Sequence, residues 1–260
     1  MKYYVVADPH GYYNYMIAAL REKGYFEDEG PKKLIVCGDA FDRGKEAVEM
    51  QNFLADLVAK DEAILIRGNH DDLLEEFVTH SAAYAARGLL ATHHFSNGTV
   101  QTCVQLSGMD IMQMEVEPET LKEKMHETRC FRELLPAMVD YYETKRYIFV
   151  HGWIPCDASG FGGTADTFRY RANWRNATKD EWREARWYNG MLAASMGVIE
   201  PGKKIVCGHW HCSYGHSRLK HKGPEFGEVA NFSPYKADGI IALDACTATS
   251  NKVNCIVIKD

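Results

Sequence analysis

The chain has 260 residues, 46% of them hydrophobic, enough to bury a full core as one large domain or as a domain with a cap. A net charge of −6 with no long basic run argues against nonspecific nucleic-acid binding and against a polybasic membrane anchor. No apolar stretch reaches bilayer length, and the N-terminus opens on the strand-like KYYVVA rather than on a charged region and a signal core, so a soluble, unprocessed chain is expected.

In chain order, residues 3–7 (YYVVA) read as a strand, 13–23 (YNYMIAALREK) have helical spacing, and 33–37 (KLIVC) are again strand-like. Residues 45–59 are helical and 62–66 (EAILI) form a third strand. Strand, helix, strand, helix, strand at this spacing predicts right-handed βαβ units and a largely parallel sheet. From about 72 to 140 the pattern is mostly helical, and 155–200 is an irregular insert rich in aromatic residues and arginine. Further strands are expected at 146–150 (RYIFV), 203–207, 239–243 (GIIAL) and 253–258 (VNCIVI). With no low-complexity linker and no internal repeat, residues 1–260 read as a single α/β domain with cap-like insertions at about 80–140 and 155–200. The eight cysteines are scattered, and Cys37, Cys207 and Cys255 lie inside apolar runs, where a reduced cysteine packs as a small hydrophobe; this points to the cytoplasm.

The chemistry is concentrated just past the strand ends. After YYVVA comes Asp8-Pro9-His10-Gly11, after LIVC comes Gly38-Asp39-Ala40-Phe41-Asp42-Arg43-Gly44, and after ILIR comes Gly68-Asn69-His70-Asp71. After YIFV comes His151-Gly152, and after KIVC comes Gly208-His209-Trp210-His211. In an α/β sheet the crevice outside the carboxyl ends of the strands is where ligands bind. Oxygen and imidazole donors gathered there suit divalent metals such as Mn, Fe or Zn. Asp8, His10, Asp39, Asn69, His151, His209 and His211 are seven candidates, too many for one ion of four to six ligands. Two ions sharing Asp39 as a bridge solve the count, and such a pair suits phosphoryl chemistry.

The ordered series DxHG, GDxxDRG, GNHD, HG and GHxH resembles the calcineurin-like metallophosphoesterase superfamily. It is closest to the phosphoprotein phosphatase and diadenosine tetraphosphatase branch, particularly its short bacterial members. The resemblance implies a central β-sandwich of mixed sheets flanked by helices, with helical cap insertions. It implies hydrolysis of phosphate esters by direct attack of a metal-bridging hydroxide, on serine/threonine-type phosphoproteins or small phosphoesters, or alternatively on dinucleoside polyphosphates. Carried onto this chain, it puts Asp8, His10, Asp39 and His211 on the first ion, and Asp39, Asn69, His151 and His209 on the second, with Asn69 also facing the substrate. His70 would donate the leaving-group proton, Asp42 would orient it, and Arg43 would hold phosphate oxygens. The phosphoprotein phosphatases typically carry glutamate where Asp71 stands and lack the second histidine of GHxH, so their specificity is not inherited whole.

Singly, these motifs have plain structural readings. DPHG is ordinary turn chemistry, GDAFDRG and GNHD suit helix entry, and a lone His151 fits a hydrogen-bonded core histidine. Their coincidence, in order and each at a strand's end, carries the site. A zinc knuckle from Cys207, His209, His211 and Cys212 is disfavoured, because Cys207 ends a buried strand and paired CxxC spacing is missing. Two histidines at i and i+2 must leave the strand on a turn to share one crevice. In residues 167–191, Trp182, Trp187 and Met191 are expected to pack the insert onto the body, and Arg175 or Arg186 is a candidate second phosphate grip. The partner is then a phosphorylated peptide, nucleotide or small phosphoester, with no membrane and no specific nucleic acid. A metal-dependent nuclease is the weaker reading for want of a basic stripe. A noncatalytic scaffold would be expected to have lost ligands, and none is missing.

Overall fold

The computed structural model describes residues 1–159 and 167–260. Eleven strands are seen among them: β1 (Lys2–Val6), β2 (Lys32–Cys37), β3 (Ala63–Ile66), β4 (Tyr142–Glu143), β5 (Tyr147–Phe149), β6 (Asp157–Ser159), β7 (Thr167–Arg169), β8 (Lys204–Cys207), β9 (Tyr235–Ala237), β10 (Ile240–Ala242) and β11 (Cys255–Lys259). They do not form one parallel sheet. One sheet has the order β11-β1-β2-β3, with β1, β2 and β3 parallel and β11 antiparallel at the edge. The second has the order β4-β5-β8-β10-β9, with β5, β8 and β10 parallel and antiparallel strands at both edges. Strands β6 and β7 pair as a separate antiparallel ribbon.

Period-2 alternation explains why the two sheets stack. In β1, Tyr3 and Val5 face one way and Tyr4 and Val6 the other; in β2, Ile35 and Cys37 oppose Leu34 and Val36. In the second sheet Phe149, Val206 and Ile241 point inward while Ile148, Ile205 and Ile240 point outward. The inward sets meet as a dry layer of Val5, Ile35, Ile66, Phe149, Val206 and Leu243, packing the sheets face to face. Because every parallel strand is apolar on both faces, each sheet needs an outer cover as well. Helices α1 (Tyr13–Glu22), α2 (Ala47–Ala59) and α3 (Asn69–Thr79) cover the first sheet, joined there by Leu89, Val100, Met114, Leu121 and Met125 of the 80–140 segment. The 155–200 segment covers the second sheet through Trp174, Trp182 and Met191, which pack with Trp153. Both segments expected as caps thus supply outer packing layers. Among the described residues, no helix is long and apolar enough to cross a membrane.

Candidate metal centre

The carboxyl ends of β1, β2 and β3 meet those of β5, β8 and β10 at one cleft. Main-chain bonds close each set, Gly208 N–H donating to the His151 carbonyl at 2.8 Å and Asp8 N–H to the Gly38 carbonyl at 3.3 Å. The His209 N–H, donating to Asp8 Oδ1 at 2.9 Å, ties one set to the other. Glycine is required where the strand ends come closest. A Cβ on Gly68 would lie 2.1 Å from Asp39 Oδ1, and one on Gly208 would lie 2.0 Å from Asp8 Oδ2.

Asp39, almost fully buried, lies where two groups of donors meet. Its Oδ2 is 3.8 Å from His10 Nε2 on one side and 3.3 Å from His151 Nε2 on the other. Donor atoms of His10, Asp39 and His70 lie within 4.8 Å of one another, as do those of Asp39, His151 and His209. Each ring is set by a second contact on its far nitrogen, the arrangement that orients metal-ligating imidazoles. His10 Nδ1–H donates to the Phe41 carbonyl at 3.0 Å, His151 Nδ1–H to the Cys37 carbonyl at 2.9 Å, and His209 Nε2–H to the Trp187 carbonyl at 3.1 Å.

That leaves His151 Nε2 2.8 Å from Asn69 Oδ1 and 3.3 Å from Asp39 Oδ2. Burial works to lower the His151 pKa, but the charge and bond of Asp39 and the charge of Asp8 outweigh it and lift it to about 10. Positive charge is thus favoured at this point between the two oxygens, as a proton on the ring or as a cation in its place. Asp8 and Asp39 are buried without a lysine or arginine partner among the described residues. Buried carboxylates are ordinarily paired or bound to metal, so this donor set fits divalent cations. Burial raises the Asp39 carboxyl, but His151, His70 and His10 outweigh it and hold it well below the usual range. Burial, then the charge of Asp244, pushes Asp8 well above it.

Beside this set stand the residues expected to act on substrate. His70 Nδ1 donates to Asp42 Oδ2 at 2.8 Å, while its Nε2 faces Arg43 Nη2 at 3.2 Å. Burial works to lower the His70 pKa, yet the Asp39 charge and the Asp42 bond and charge raise it above the ordinary imidazole value. Asp42 is held in turn by Thr99 Oγ1 at 2.8 Å and Thr102 Oγ1 at 2.9 Å, and Thr102 also accepts the Asp42 N–H at 3.0 Å. Asp71, in GNHD, caps α3 by accepting from Gly68 N–H at 2.8 Å; burial, then the Asp39 charge, lifts its pKa to about 7.

Six of the seven candidate ligands, Asp8, His10, Asp39, Asn69, His151 and His209, are gathered here; His211 is not. His209 takes the left-handed backbone (φ +67°) that turns its ring into the cleft. His211 then becomes the N-cap of the turn Cys212–Tyr214, its Nδ1 taken by Ser213 Oγ at 2.9 Å and by Tyr214 N–H at 3.3 Å, with Nε2 3.6 Å from Glu225. Cys212 Sγ donates to the Ala242 carbonyl and Cys207 is buried in the second-sheet core, so neither joins a zinc knuckle. Neither candidate arginine reaches the cleft. Arg175 is engaged by Glu143 at 2.8 Å and Glu200 at 2.9 Å, and Arg186 by Asp72 and Asp140.

Three residues of this neighbourhood were not singled out from the motifs. Thr99 and Thr102 lie on the helix Thr99–Ser107 inside the 80–140 segment, where no local pattern marks them. Asp244 comes after the apolar run IIAL at the end of β10. A carboxylate directly after an apolar strand was the available signal, as at Asp8. Burial first, and Asp39 as well, raise its pKa to about 6.

The model of the calcineurin-like phosphoesterase family matches residues 1–231. Over 98 residues the chain is 31% identical to a bis(5'-nucleosyl)-tetraphosphatase PrpE [asymmetrical] of Bacillus velezensis, covering 35% of this chain and 39% of the relative. The protein of the same name from Bacillus subtilis is 29% identical over 99 residues, covering 35% and 40%. The chain thus matches well under half the length of these curated relatives. Among solved structures, a cold-active protein tyrosine phosphatase overlays 99% of this chain and 73% of its own at 16% identity and a TM-score of 0.58, a likeness of fold. With the family model spanning residues 1–231 and the motif residues converging on one cleft, the chain belongs to the calcineurin-like phosphoesterase family.

Proposed function

We propose that the protein hydrolyses phosphoric esters at a two-ion centre in which Asp39 serves both ions. The observation that carries this reading is the position of the Asp39 carboxylate between the His10 and the His151–His209 donors, with His70 and Arg43 alongside. His10 and Asp8 would hold one ion, and Asn69, His151 and His209 the other; Mn, Fe and Zn all suit these donors. His211 is left out of the set because its turn takes Nδ1 and its Nε2 faces Glu225. The ions, when bound, supply a water nucleophilic at neutral pH and neutralise charge on phosphate oxygens.

The chain's own residues do the rest. Arg43, exposed at the cleft mouth, presents a planar fork of donors to two phosphate oxygens. While Arg43 donates to it, His70 Nε2 is an acceptor; when Arg43 turns to the phosphate, Nε2 is free to take a proton from water, and the imidazolium, steadied by Asp42 through Nδ1, passes that proton to the leaving oxygen. Asp39→Asn is expected to lower turnover of p-nitrophenyl phosphate by about a thousandfold. His70→Asn should cost about 10²–10⁴-fold on a phosphoserine peptide, and far less on p-nitrophenyl phosphate, whose leaving group needs no proton. Unchanged turnover in a folded Asp39→Asn protein would remove the two-ion reading.

A dinucleoside polyphosphate is the second substrate reading. The curated relatives are named as nucleosyl tetraphosphatases, and Trp187 (39% exposed) and Phe226 (60% exposed) lie against the His209 and His211 rings. Such rings offer faces for a nucleobase. Trp187→Ala should raise KM for diadenosine tetraphosphate and leave that for a phosphoserine peptide unchanged; equal effects would favour the phosphopeptide. We read the chain as one domain whose 80–140 and 155–200 segments are insertions. We take a reducing cytoplasm as its compartment, in keeping with eight unpaired cysteines.

A further inference from the structure

Away from the cleft, Glu76, His93 and His94 bring one carboxylate and two imidazoles together, their donor atoms within 4.8 Å of one another. His94 is fully buried, and neither of its ring nitrogens has a hydrogen-bond partner. An imidazole always carries at least one polar nitrogen that burial leaves unsatisfied at a cost, so an unpaired ring in a dry setting asks for a partner. Its surroundings supply none: the rings of His93, Tyr84 and Phe77 lie 4.0, 4.5 and 5.1 Å away. Glu76 and His93 are exposed and can close on a common point. The Tyr84 hydroxyl donates to Glu76 Oε1 at 2.6 Å, the kind of outer contact that orients a ligating carboxylate.

We propose that Glu76, His93 and His94 form a third metal site, taking a zinc-class divalent ion with water in the remaining position. Glu76 lies seven residues beyond Asn69 on α3, about 10 Å along the helix, so this site is not part of a pair whose ions sit about 4 Å apart. The helix His93–Asn97 runs through Gly98 into Thr99–Ser107. Gly98 has φ +92°, and a Cβ there would stand 2.2 Å from Arg43 N. An ion at this site therefore staples α3, which carries His70, to the segment that holds Asp42 and Arg43.

The test is a titration of the metal-stripped full chain with zinc(II) alone, counting ions and recording Tm. His93→Gln and Glu76→Gln, both at exposed positions, are each expected to bind one ion fewer than the parent. They should also lose a zinc-dependent rise in Tm of about 5–10 °C. The same comparison in an Asp39→Asn background separates this site from the cleft. Loss of the cleft ions there with one His93-dependent ion retained supports the staple, even if the cleft binds other than two. Equal zinc stoichiometry and equal Tm response in parent, His93→Gln and Glu76→Gln would overturn the proposal and leave the three residues as a packing cluster.

Discussion

Asp8, His10, Asp39, Asp42, Arg43 and His209 all hold left-handed backbone, with φ between +48° and +73°. Such conformations cost about 1–3 kcal/mol each and persist only where neighbours over-determine them. The neighbours are identifiable: His10 N–H donates to the Asp39 carbonyl at 3.0 Å, Gly44 N–H to the His10 carbonyl at 2.7 Å, and Asp42 N–H to Thr102. Thr102→Val keeps the shape and removes both bonds to Asp42. It is expected to cost about 1–3 kcal/mol in urea denaturation and about tenfold in kcat, with KM unchanged. Asp42→Asn tests the His70 pair by pH. His70 acts protonated, so activity is lost as pH rises through its pKa, which Asp42 raises. Removing that charge should move the basic limb of kcat/KM to lower pH; an unmoved limb would take the pair out of the mechanism.

At the scale of elements, the 93–107 stretch and the 155–200 segment do different work. The helix Thr99–Ser107 grips the GDAFDRG loop, since Gln105 donates to the Gly44 carbonyl at 3.0 Å and accepts from Ala47 N–H at 2.9 Å. The 155–200 segment is tied to α3 by buried Arg186, which shares Asp72 with Arg67. Arg186→Met should lower stability by about 1 kcal/mol, because Asp72 keeps Arg67 and only the part-exposed Asp140 loses its partner, while KM for p-nitrophenyl phosphate stays within about twofold. A large rise in KM with unchanged stability would restore Arg186 as a phosphate grip. Trp182 and Met191 are buried as expected but lie on two different helices, Lys179–Ala185 and Gly190–Ser195, whereas Trp187, between those helices, turns outward and lends its carbonyl to His209. Spacing along a helix indicates which face a residue occupies and is silent on how that face meets the next element.

At the scale of the whole molecule, the cleft is a seam. Asp8, His10, Asp39 and Asn69 come directly after strands of the first sheet, and His151 and His209 after strands of the second. Ions bound there would link the two sheets directly, so in a His93→Gln protein, which keeps only the cleft ions, stripping them with chelator should lower Tm by about 5–10 °C in scanning calorimetry. That difference should vanish when Asp39→Asn is added to His93→Gln; a chelator-insensitive Tm in His93→Gln alone would mean that the sandwich closes without metal. Much of this was readable from sequence, because each ligand comes straight after its strand and each strand declares itself by a local apolar run. The order of those clusters pointed to the family. Folding alone determined that one run of βαβ-like units splits into two sheets, since a strand apolar on both faces fits a single covered sheet or a sandwich equally. It also determined that His209 enters the cleft while His211 caps a turn, that Thr99 and Thr102 reach Asp42 across 57 and 60 residues, and that Asp244 joins the buried carboxylates. Those outcomes depend on long-range pairing and on one residue's backbone angle, neither of which leaves a periodic trace in the chain.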